Sequence, residues 1–171
     1  MKQDARRLRA TTLALAAALA APGAARAQER SNFFDDPFVS ATSGFRRCPV
    51  PEGPKYSAAE VRLMEHERVQ HGVSCYQSGR CRLPNSYLYD KELVPRVAQS
   101  IQRSGRFDDT SVWVLGQRRV VTLMGCVRSR EQAEALEQSV VLVDDVMNVV
   151  NLLMVGTRGK PPYRVAPPAG P

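Results

Sequence analysis

Three runs rich in β-branched and apolar residues, Thr110–Leu115, Arg119–Val127 and Val146–Val155, constrain this chain most, because their connections differ in kind. Gly116-Gln117-Arg118 is short enough to join the first two as an antiparallel hairpin. Between the second and third stands Ser129-Arg130-Glu131-Gln132, a capping box in which serine and glutamine side chains satisfy free amides at a helix start. The helix it opens carries Ala133, Leu136, Val140 and Val141, and Asp144-Asp145 breaks it. A helical crossover points to a parallel pairing, hence a mixed sheet. Upstream, Asp90 is placed as the cap of another helix running to about Ser104, with Leu93, Val94, Val97, Ala98 and Ile101 inward and Gly105 as its stop. Pro95 lies near the first turns, where proline is tolerated. The expected class is therefore α+β: an αββαβ unit with a mixed three-stranded sheet and two helices on one face.

An N-terminal extension with one helix precedes that unit. Residues 28–56 are rich in proline, yet they hold Phe33, Phe34, Phe38 and Phe45, and disordered linkers are poor in aromatics. They are read as an extended arm that docks. Ser57-Ala58-Ala59-Glu60 is a capping box for a helix expected to close at Gly72, and Val73–Tyr89 is read as a cysteine-containing loop. Residues 157–171, with Pro161, Pro162, Pro167, Pro168 and Pro171, show no core-forming pattern and are expected to be a disordered tail.

The first 27 residues have the layout of a secretory signal: basic Lys2, Arg6, Arg7 and Arg9, an apolar run from Leu13 to Ala21, and Ala25-Arg26-Ala27 before the cut. The run is too short to span a bilayer, and no later stretch is long enough to give the mature chain a transmembrane segment. Removing the leader takes most of the formal charge of +7 with it, which argues against nucleic acid as a partner. The expected setting is an oxidising compartment reached by export. Cys48, Cys75, Cys81 and Cys126 all lie beyond the cut, where an even count favours disulfides. The turn formers Ser78-Gly79 favour Cys75 with Cys81, leaving Cys48 for Cys126.

Val121, Leu123, Gly125 and Val127, then Ser129 and a helix with Ala133, then Val149, Asn151, Leu153 and Val155 form two spaced motifs that resemble those of the BON domain of bacterial envelope proteins. The likeness covers roughly residues 90 to 156. It implies the αββαβ fold, a periplasmic location, no cofactor, no catalytic residues, and binding of phospholipid surfaces or envelope proteins. One departure is Val143-Asp144-Asp145-Val146, where the family usually carries a glycine before the corresponding valine.

No catalytic motif stands out. His66-Glu67 and His71 suggest the zinc-protease pattern, but their spacing of five rotates the second imidazole away from the first, so both histidines are expected to face solvent or cap the helix. Neither a metal nor an enzyme activity is expected. Both faces of the hairpin are apolar, and a sheet packed on one side only should have a polar outer face. Either the Phe-rich arm or the helix from Ser57 covers the second face, pinned by Cys48–Cys126, or Trp113 and Met124 meet a lipid or protein there. Arg118 and Arg119 in the turn are candidates for anionic headgroups. Asn151 is expected to satisfy backbone at the sheet edge. The function read from the sequence is a non-enzymatic binding module contacting anionic phospholipid, with an assembly subunit docking on an envelope protein as the alternative.

Overall fold

The computed structural model describes residues 29–168. The leader falls outside them. The elements are β1 (Phe38–Ser43), α1 (Ala58–Gln77), a 3₁₀ turn (Ser86–Tyr89), α2 (Asp90–Ser104), β2 (Ser111–Gln117), β3 (Val120–Val127), α3 (Arg130–Val141) and β4 (Asn148–Val155). The αββαβ unit is present, but its sheet has four strands in the order β1-β2-β3-β4. The first two pairings are antiparallel and β3 runs parallel to β4. The extra strand comes from the arm. Its Phe38-Val39-Ser40-Ala41 alternation turns Val39 and Ala41 to the helical layer, and a register shift between Ser40 and Thr42 accommodates the bend toward Gly44.

One face of the sheet carries the core. Val112 and Val114 from β2, Val121 and Leu123 from β3, and Val149 from β4 pack against Leu93, Val94, Val97 and Ile101 of α2 and against Leu136 and Val140 of α3. Completely burying one such side chain is worth about 1.5–3 kcal/mol, so this two-helix layer supplies most of the folding drive. Gly116 sits in β2, not in the turn, and a Cβ there would meet Val94 Cγ2 at 2.4 Å; this close approach of helix to strand is what the glycine permits.

Three further features depart from expectation. First, α1 does not stop at Gly72 but continues to Gln77, with Gly72 turned inward against Asn85, where a Cβ would lie 2.5 Å from Asn85 Oδ1. Cys75 therefore belongs to a helix rather than a loop. Second, Asp90 is the first residue of α2, and no side chain caps that helix; its carboxylate is used elsewhere. Third, the tail is not free: Val165 bridges to Pro51, Glu52 and Ala166 exchange backbone hydrogen bonds with Arg164 and Val50, and the Tyr163 hydroxyl donates to the Pro49 carbonyl. Both disulfides have the expected pairing, Cys48–Cys126 and Cys75–Cys81.

The second face is half covered. Arm and tail meet beside Cys48–Cys126, and Cys126, Met124 and Met154 are buried. Toward the hairpin, Leu115, Thr122 and Leu152 are half-buried and Val150 is exposed.

Candidate functional site

The hairpin turn is built from a buried carboxylate. Gln117 pairs with Val120, so Arg118 and Arg119 alone make the turn, with φ of 58° and 65°. Positive φ at both central residues is the type I′ geometry that asparagine and glycine favour. What holds two arginines in it is Asp90, whose Oδ2 and Oδ1 accept the Arg118 and Arg119 amides at 2.6 and 2.8 Å. Burial pushes the Asp90 carboxyl up to about 6, outweighing the pull of the two amides in the other direction.

The two arginine side chains then part. The Arg119 guanidinium turns inward: its Nε donates to the Asp145 carbonyl at 2.8 Å, its Nη1 lies 3.0 Å from Cys81 Sγ, and its plane lies 4.7 Å from the Tyr89 ring. Arg119 thus ties the hairpin to the small cluster of Cys75, Cys81 and Tyr89 and to the turn before β4. In that turn Asp145 takes the left-handed conformation, φ 75°, at the departure from the usual glycine. Arg118 lines a groove of about 300 Å³ between α1 (Met64, Glu67, Arg68) and the open half of the second sheet face (Val120, Thr122, Val150).

The groove wall is locked by a polar cluster. Arg68 chelates Asp36 with both terminal nitrogens and lies between the Phe34 and Tyr87 rings, 3.9 and 4.3 Å away. Asp36 also accepts from Tyr56 at 2.6 Å and Gln117 at 2.8 Å. Burial pushes the Asp36 carboxyl up, but the hydrogen bonds from Arg68, Tyr56 and Gln117 and the Arg68 charge outweigh it and hold it below its ordinary value. Burial and the neighbouring Asp36 push the Tyr56 hydroxyl up, so it stays a donor. This cluster joins arm, helix and sheet, and uses Phe34 and Tyr56 of the arm.

Trp113 and Met124 are cross-strand partners on the second face, half-buried and buried, five residues along β2 from the turn. The structure does not bring them to the arginines. Instead three apolar side chains unremarked in the sequence gather at the hairpin end. Leu142, the C-cap of α3, is 84% exposed; Met147, whose amide donates to the Arg119 carbonyl, is 57% exposed; and Leu88, just before Asp90, is 53% exposed. The signal available was Leu142 itself, an apolar residue running past the end of a helix beside two aspartates.

Asn151 does more than expected. Its amide donates to the Ala133 carbonyl and to Glu137 of α3, and its oxygen accepts the Leu153 amide at 3.1 Å, so it braces helix to strand and closes one amide of edge strand β4. His66 and His71 are both exposed on α1. Among the described residues no three His, Cys, Asp or Glu side chains are grouped to hold a metal ion, and no helix is long and apolar enough to cross a membrane.

With α2, the hairpin, the crossover helix and the parallel closing strand in place, the family comparison is decisive: residues 89–157 match the model of the BON domain. This segment is similar to a BON domain. The BON family is one of binding domains, not of catalysts, and the mixed sheet with α2 and α3 on one face is consistent with it. The arm, β1, α1 and the docked tail lie outside the BON segment. No match was found among curated proteins or solved structures.

Proposed function

We propose that this chain is a non-enzymatic binding module of the cell envelope, exported to the periplasm after loss of residues 1–27, that meets anionic phospholipid surfaces with the hairpin end of its BON domain. The observation that carries the reading is that the basic turn and three exposed apolar side chains share one end of the domain. Exposed Leu88, Leu142 and Met147 supply an apolar edge around a basic turn, the combination that lets a folded domain rest in a headgroup layer. Two disulfides support an oxidising compartment. Arg119 supports the surface from behind, as the brace that fixes the turn, and Trp113 and Met124 belong to the interior of the second face.

A basic side chain near an anionic surface contributes about 1 kcal/mol, roughly fivefold in affinity. Co-sedimentation of the oxidised chain with vesicles of graded anionic content tests this. Arg118→Asn is the informative variant, because asparagine suits positive φ and should hold the turn at least as well. Binding that grows with anionic content, weakens with salt and falls about fivefold in Arg118→Asn supports the reading. Absence of binding at every composition refutes it and favours a protein partner in the groove beside Arg118, whose open floor of Val120, Thr122 and Val150 is the feature that recommends that second reading.

A further inference from the structure

The end of the sheet opposite the hairpin is charged rather than apolar. Four segments converge there: the chain after β1, the loop before β2, the β3–α3 junction and the chain after β4, as the pairings of Ser43, Ser111, Cys126 and Val155 require. They present Arg46 and Arg47, Arg106, Arg128 and Arg130, and Arg158 and Lys160, all exposed. Against these seven cations stand Asp108, Asp109 and Glu131, whereas the rest of the chain beyond the leader is close to charge balance. Arg128 pairs with Asp109 at 3.4 Å; Arg46, Arg47, Arg130, Arg158 and Lys160 have no acidic partner among the described residues. The N-terminus of α3 opens at the same end and adds its positive dipole to the field.

We propose that this end is a second interaction surface, one that binds an acidic polysaccharide, a chain of repeating carboxylate or sulfate groups. Three features select that partner. Cations carried on four separate segments make a broad face suited to a repeating polyanion rather than a pocket for one small anion. Few aromatic rings are free for stacking nucleobases: Phe107 is buried, Phe45 lies beneath Arg128, 4.1 Å from its guanidinium, and Tyr163 is half-buried with its hydroxyl on the Pro49 carbonyl. The larger exposed side chains Leu88, Leu142 and Met147 lie at the other end, and the exposed apolar residue that ends β4 here, Val155, is a single short side chain, so this face lacks the clustered apolar wedge that a bilayer contact uses. The two ends would let one small domain bridge a lipid surface and a glycan chain.

The experiment measures binding of the oxidised chain to fluorescent heparin and polygalacturonate fragments, used as probes, with duplex DNA as competitor and anionic vesicles as a parallel arm. The variant is Arg46→Gln/Arg130→Gln/Arg158→Gln, and an equal-charge control is Arg62→Gln/Arg80→Gln/Arg164→Gln. The expected result is glycan binding that weakens with salt, falls roughly tenfold in the first variant and less than twofold in the control, with vesicle binding unchanged in the first variant. The proposal is overturned if neither glycan binds at low salt, if both triple variants weaken binding equally, or if DNA displaces the glycan at a lower charge concentration than the glycan itself. Because the vesicle arm reads the hairpin end separately, failure there with glycan binding intact rejects the lipid reading alone.

Discussion

Asp90 makes the fold's pH response predictable. Its carboxyl is 1% exposed and is pushed up to about 6 from 3.8, so the folded state holds the proton more tightly than the unfolded chain does. The stabilisation from that proton is complete below about pH 3.8 and is lost as pH rises through about 6. A difference of about two units at 1.36 kcal/mol each, not quite fully expressed at pH 4, amounts to about 2–3 kcal/mol between pH 7 and pH 4. Asp36 works in the opposite sense: held below its ordinary value, it adds stability that is lost only as the pH falls further, through its own folded value. The Asp90 contribution is isolated by comparing wild type with Asp90→Asn, whose side chain has no charge to titrate, in urea melts at pH 4, 5, 6 and 7 with disulfides intact. The stability of wild type relative to the variant should rise by about 2–3 kcal/mol from pH 7 to pH 4, whatever the constant offset from replacing one amide acceptor by a donor. A flat difference, or one that rises toward pH 7, would refute the burial argument.

Gly116→Ala drives a methyl into Val94, and the overpacking should cost about 1–3 kcal/mol in the same melts, whereas Gly79→Ala, with open space around it, pays only for its positive φ. The chain-entropy model assigns the Cys48–Cys126 bridge, which closes a separation of 78 residues, about 4 kcal/mol and the Cys75–Cys81 bridge, with a separation of 6, about 2; paired Cys→Ala variants should keep that order. Asn151→Ala strips the Leu153 amide of its acceptor and α3 of its brace, so it should lose about 1–3 kcal/mol and speed hydrogen exchange at Leu153.

The BON segment was legible because its signals are local. Capping residues, valine-rich strands and the paired motifs sit close together in sequence, and the disulfide pairing followed from Ser78-Gly79 and elimination. What escaped was set by distant contacts. Phe38–Ser43 has little strand signature of its own and becomes β1 because β2 offers a free edge. Gly72 reads as a stop, but Asn85 packs on it and the helix continues. Asp90 reads as a cap, whereas its oxygens serve a turn 28 residues away, and that bond moved the turn from Gly116 to Arg118-Arg119. The candidate site shared this fate. The sequence picked out Arg118, Arg119, Trp113 and Met124, but nothing local says that Trp113 and Met124 lie about five residues along the strands from the turn, or that Arg118 lines the groove while Arg119 turns toward Asp145 and Cys81. The tail looked free because its partners, Val50 and Glu52, lie more than 100 residues upstream.

The hairpin end is best tested by asking how deep it sits in a bilayer. Leu142→Trp in a Trp113→Phe background places the chain's only tryptophan at the proposed contact, at a position exposed enough to take the larger ring. With vesicles containing brominated anionic phospholipid, the account predicts a blue-shifted emission that the bromines quench. Vesicle-bound protein whose tryptophan emission stays red and unquenched would contradict it.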